Sequence, residues 1–95
     1  MNRLQRICYL WENIRELLDA GPVSKDNAFF IGDQLGQLIF LNAGDIAQNG
    51  LDMVRTRLVT RGEFDALEVT VSRYVEHIQA ADDWQMHRTE VKKVG

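Results

Sequence analysis

The chain has 95 residues, 45% of them hydrophobic and 26% charged, with a formal net charge of -3. This fits one domain with a single core and excludes both the hydrophobe-poor composition of disordered chains and a second independent core. The acid excess disfavours a general nucleic-acid binder, and no apolar run approaches the roughly 18 residues of a bilayer span, so a cytoplasmic address without membrane association is expected.

Residues 3 to 20 read as the first helix, because Leu4, Ile7, Cys8, Trp11, Ile14, Leu17 and Leu18 recur at helical spacing. Gly21-Pro22 ends it, since glycine accepts a left-handed stop and proline cannot continue the hydrogen-bond ladder. The lone cysteine, Cys8, cannot form an internal disulfide and falls on the apolar side, which predicts a buried small hydrophobe. Trp11 lies in the same stripe and is expected in the core.

Ser24 can cap a second helix whose Ala28, Ile31, Leu35, Leu38, Asn42 and Ile46 line one face. Phe29, Phe30, Ile39, Phe40 and Leu41 fall outside that stripe, so the segment is apolar on two sides. A second apolar side calls for a second covering surface, which predicts a homodimer through residues 28 to 46. A β-hairpin, with residues 28–32 and 37–42 as strands, is the competing reading. Gly32 and Gly36 are four apart, so on a helix they would share a face and let another helix approach closely.

Gly44 and Asn49-Gly50 read as breaks or bends, between and beyond which Ile46, Leu51, Val54 and Leu58 keep a helical spacing, and a short third helix over about residues 51 to 61 is expected. Thr60 and Glu63 then stand in capping-box relation before a fourth helix, whose apolar stripe is Phe64, Leu67, Val71, Tyr74, Val75, Ile78 and Ala81. Asp82-Asp83 either ends that helix or opens a short terminal one, and residues 91 to 95 read as a loose tail. The sum is an all-α fold: a compact bundle of three long helices plus one or two short helices, with antiparallel neighbours.

Chemistry is sparse. The two histidines, His77 and His87, belong to no His-Glu-x-x-His pattern, and there is no Cys-x-x-Cys, P-loop or Gly-x-Ser-x-Gly. His77 sits at the border of the fourth stripe and reads as a boundary histidine. No catalytic residue, metal site or cofactor is assigned. Charge is more organised: residues 63 to 83 hold six acids against Arg73 alone, while residues 53 to 62 hold Arg55, Arg57 and Arg61 and no acid. The acidic face suits a basic protein partner, with Glu68, Glu76, Asp82 and Asp83 as contacts and Trp84 and Met86 as an anchor.

The expected function is therefore a non-enzymatic protein–protein interaction module, a regulator, adaptor or inhibitor acting through helical surfaces as a homodimer. The alternative is a nucleic-acid-associated regulator gripping phosphate through Arg55, Arg57 and Arg61. Residues 45 to 64 lack helix-turn-helix spacing, since Gly50 follows Ala47 by three residues rather than four and Arg57 stands where an apolar residue is required.

Overall fold

In the computed structural model, which describes residues 2–94 and their side chains as far as Asp83, the chain is an all-α bundle with no strand among the described residues. Its four helices are α1 (Arg3–Asp19), α2 (Lys25–Phe40), α3 (Gly44–Arg61) and α4 (Phe64–Val94). The hairpin alternative is thereby excluded.

Local chemistry explains each boundary. Asn2 and Gln5 form a reciprocal capping box at the start of α1. The Ser24 hydroxyl accepts the Asn27 N–H at 3.1 Å and starts α2. Both α2 and α3 then stop by the same device. The Ala43 N–H reaches back to the Leu38 carbonyl at 2.9 Å and the Asn42 N–H to Ile39 at 3.0 Å, with Asn42 left-handed at φ 58. The Glu63 and Gly62 N–H groups bond to Leu58 and Val59 in the same way, with Gly62 at φ 74. This pair of reverse bonds satisfies carbonyls that a helix end leaves orphaned.

Three boundary expectations are corrected by these caps. The second helix ends at Phe40, so Asn42 and Ile46 do not extend its stripe: Asn42 is the stop residue itself. The third helix is not a short piece from residue 51; it starts at Gly44 and runs 18 residues straight through Asn49-Gly50. Thr60 and Glu63 form no capping box, because α3 runs to Arg61 and the Thr60 hydroxyl donates to the Thr56 carbonyl within its own last turn. The Glu63 carboxylate instead accepts the Val23 N–H at 2.6 Å, tying the α1–α2 connection to the α3–α4 turn.

The core is built from Ile7, Leu10, Ile14 and Leu18 of α1, Ile31, Leu35 and Leu38 of α2, and Ala47, Leu51, Val54 and Leu58 of α3, all at three- and four-residue spacing. Trp11 is half-buried beside Gly50 rather than central, and Cys8 is exposed, contrary to the burial expected of it. On α1 the buried face is narrow, and Cys8 lies one position past Ile7 on the turn toward solvent.

The face α4 turns inward is the largest departure. Its buried residues are Ala66, Thr70, Tyr74 and Ala81, whereas Phe64, Val75 and Ile78 are 62%, 40% and 36% exposed. The helix is rotated by roughly a quarter turn from the orientation its apolar stripe predicts. The reason lies on α2, whose glycines leave room for Thr70, the stem of Arg73 and the His77 ring of α4 to lie against its backbone.

Consecutive helices run antiparallel, as their short connections require; α1 and α2 cross with Arg3 near Leu41 and Asn13 near Gln34. The tightest seam, however, joins α2 to the non-consecutive α4, and these run parallel: Ala28 meets Thr70, Asp33 meets Arg73, and Phe40 meets His77.

Candidate functional site

The seam between α2 and α4 brings Asp33, Gln37, Arg73 and His77 together as a partly buried polar cluster. Its geometry starts from absent side chains. A Cβ on Gly32 would lie 2.7 Å from the Thr70 carbonyl oxygen and 2.8 Å from the Arg73 Cβ, and one on Gly36 would lie 2.5 Å from the His77 Cβ and overlap its ring. The Gly-x-x-x-Gly spacing thus does what the sequence led us to expect of it: it lets two backbones approach. Thr70, fully buried, fills the gap by donating its hydroxyl to the Ala66 carbonyl at 2.9 Å and the Ala28 carbonyl at 3.1 Å.

Beside the glycines, Asp33 is the hub. Its carboxylate accepts Arg73 Nη2 at 2.8 Å and Gln37 Nε2 at 3.1 Å, and lies 2.9 Å from His77 Nε2. Burial pushes the Asp33 carboxyl up, but hydrogen bonds from Arg73, His77 and Gln37 together with the Arg73 charge outweigh it and hold the group below the usual carboxylate range. The same bond to Asp33, and a second to Glu76 at 2.9 Å, raise the Arg73 guanidinium. Phe29 lies under that guanidinium, 4.6 Å from its ring centroid, and Phe40 meets His77 edge-on at 6.1 Å. His77 is only 15% exposed at its side chain, so the boundary histidine is a seam residue.

An aspartate oriented against a histidine is the supporting half of many acid–base arrangements, but here the carboxylate is consumed by three donors, and among the described side chains no hydroxyl or thiol is hydrogen-bonded to the ring. No group of three or more His, Cys, Asp or Glu is placed to hold a metal ion among the described residues. The Asp33 hydrogen bonds tie α2 to α4.

The three arginines singled out from sequence are separated by role. Arg61 donates to the Leu18 carbonyl at 2.8 Å and reaches Gly21, closing the C-terminus of α1, and Arg57 pairs with Asp19 at the same end. Arg55 makes only a loose 4.0 Å pair with Asp52 on the exposed side of α3. Sequence reading missed Arg3, which performs the equivalent closure of α2 by donating to Leu41 and Asn42 at 2.6 and 3.1 Å. It also missed Asp33 and Arg73. Their signal was present, in an acid lodged between two stacked glycines and in Arg73 and His77 one turn apart on the facing helix.

Of the acidic contacts, Glu68, Asp82 and Asp83 are exposed on α4 and Glu76 is held by Arg73. The Trp84 and Met86 side chains lie outside the described residues; the α4 backbone continues as helix past Asp82-Asp83 and through 91–94, where a loose tail was expected, and Gly95 lies outside the described residues. The outward side of α2 carries Phe29, Phe30 and Phe40 at 48%, 43% and 51% exposure. A groove between α1 and α2, lined by Arg6, Tyr9, Asn13, Phe30, Gln34 and Gln37, joins Phe30 to the exposed Tyr9, so the aromatic surface spans two helices. No helix among the described residues is long and apolar enough to cross a membrane. No family model, curated protein or solved structure matches the chain.

Proposed function

We propose that this chain is a non-enzymatic protein–protein interaction module, a small regulator, adaptor or inhibitor, and that it self-associates through the outward face of α2. The observation behind this reading is the row of three half-exposed phenylalanines, Phe29, Phe30 and Phe40, continued by Tyr9 across the α1–α2 groove. Scattered apolar residues are normal on a surface, but aromatic residues are enriched at protein interfaces, and four of them are exposed on α1 and α2, Tyr9 and Phe30 lining one groove. Each half-exposed phenylalanine has roughly 1 kcal/mol still to gain by burial, and a two-fold axis uses every such contact twice. Asp33, the charge at the centre of this face, is already neutralised by Arg73 and so adds little repulsion between copies.

A cytoplasmic setting accords with the free, exposed thiol of Cys8, which an oxidising compartment would leave open to intermolecular pairing. The nucleic-acid alternative draws less support, because Arg57 and Arg61 spend their charge on the end of α1. Sedimentation equilibrium at micromolar concentration tests the proposal. A mass of two chains is expected, falling to one in the double variant Phe30→Ser/Phe40→Ser with helix content unchanged; a wild-type mass of one chain would remove self-association from the proposal.

A further inference from the structure

The rotation of α4 leaves an apolar ridge that the bundle does not use. Phe64, Val71, Val75 and Ile78 follow one another at helical spacing, with Phe64, Val75 and Ile78 among the exposed large hydrophobics and Val71 only partly covered. Valine and isoleucine are poor choices for the solvent side of a helix, since they lose rotamer freedom there and leave apolar surface wet. The flank of the ridge is acidic. Asp65, Glu68, Asp82 and Asp83 are exposed and make no salt bridge among the side chains described, Met1 and residues 84–95 excluded, and Arg73, the one arginine of residues 63 to 83, is turned away into the α2 seam. The neighbouring cation on α3, Arg55, already faces Asp52.

Resting on the interaction-module reading, we propose that this ridge is the docking surface for a basic amphipathic helix of another protein. Apolar residues recurring every three or four positions form a ridge that fits the groove of a second helix, whose backbone needs nothing from the surface it lies on. The acidic flank selects for lysine or arginine beside that helix's apolar stripe and repels an acidic one. From Phe64 to Ile78 the ridge is about 21 Å long at 1.5 Å per residue, which matches a partner helix of about four turns.

The test is a fluorescence-anisotropy titration of the full chain with a labelled 18-residue Leu/Lys peptide patterned as an amphipathic helix, and with the same peptide carrying Glu for Lys. We expect the Lys peptide to bind at least about tenfold more tightly than the Glu peptide, with an affinity that falls as salt rises. Val75→Ser/Ile78→Ser should weaken it by about tenfold, and Glu68→Lys/Asp82→Lys should also remove most of the salt dependence. Phe30→Ser/Phe40→Ser should leave peptide binding unchanged while altering the sedimentation mass, which separates this inference from self-association through α2. All four positions in the α4 variants are surface sites, and an unchanged helical circular-dichroism signal shows that they fold. Peptide binding that ignores Val75→Ser/Ile78→Ser, equal binding of the Glu peptide, or a drop from two chains to one caused by Val75→Ser/Ile78→Ser would overturn it; the last would assign the ridge to a second copy.

Discussion

Arg61 and Arg57 sit one turn apart on α3 and both act on the end of α1, yet they should differ in consequence. Arg61 satisfies backbone carbonyls that α1 leaves orphaned, whereas Arg57 and Asp19 form a pair in which both side chains are more than a third exposed. Arg61→Ala is expected to cost about 1 kcal/mol and Arg57→Ala between about 0 and 0.5 kcal/mol, measured by urea denaturation. Asp33 carries a pH signature. Its carboxyl is depressed in the folded chain, so its contribution is present above the ordinary value of 3.8 and is lost as pH falls through the lower folded value. Asp33→Asn should therefore destabilise by about 1–3 kcal/mol at pH 7, where it strands Arg73 and His77, and by clearly less at pH 3. Equal losses at the two pH values would mean that the charge of Asp33 is not what holds the seam.

At the scale of the element, the glycines divide into those that permit an approach and those that permit a conformation. Gly36→Ala gains about 1 kcal/mol of helix propensity but drives a methyl into the His77 ring and its Cβ, neither of which is a free-moving tip. We expect a net loss of about 1–3 kcal/mol by thermal or chemical denaturation, and a weaker coupling of α4 to α2. Gly44 meets nothing within 4 Å and starts α3, so Gly44→Ala should be neutral or gain up to about 0.5 kcal/mol. Helix existence and the caps at Ser24 and Gly62 were legible because they depend on a few adjacent residues. The ends at Asn42 and the continuity through Gly50 were not. Asn42 adopts a left-handed backbone that its neighbours do not advertise, and Gly50 serves Leu35 and Trp11, which lie far away in sequence.

For the molecule as a whole, self-association makes stability depend on concentration. The thermal midpoint of the wild type should rise as protein concentration increases from about 1 to 100 micromolar, and the dependence should vanish in Phe30→Ser/Phe40→Ser. A midpoint independent of concentration would speak for a monomer with a wet aromatic face. The legibility of the candidate surfaces follows the same division. The two-sided character read over residues 28 to 46 rested on the spacing of Phe29, Phe30 and Phe40, all of which prove exposed, although α2 itself ends at Phe40. The ridge on α4 was also visible, but as a core stripe, because spacing marks which residues share a face without saying where that face points.

The sequence by itself determined four helices' worth of amphipathic pattern, the caps at Ser24 and Gly62, and the sign of charge along each surface, since all of these are set by residues within a turn or two of one another. Only the tertiary structure decided how α4 is turned. Gly32 and Gly36 have no side chains to fill a gap, so the helix that meets them comes close enough to set the Thr70 backbone, the stem of Arg73 and the His77 ring against them, with Asp33 placed to bind the guanidinium. That close approach, fixed between residues some 40 positions apart, outweighed the burial of Phe64, Val75 and Ile78 and left them facing outward.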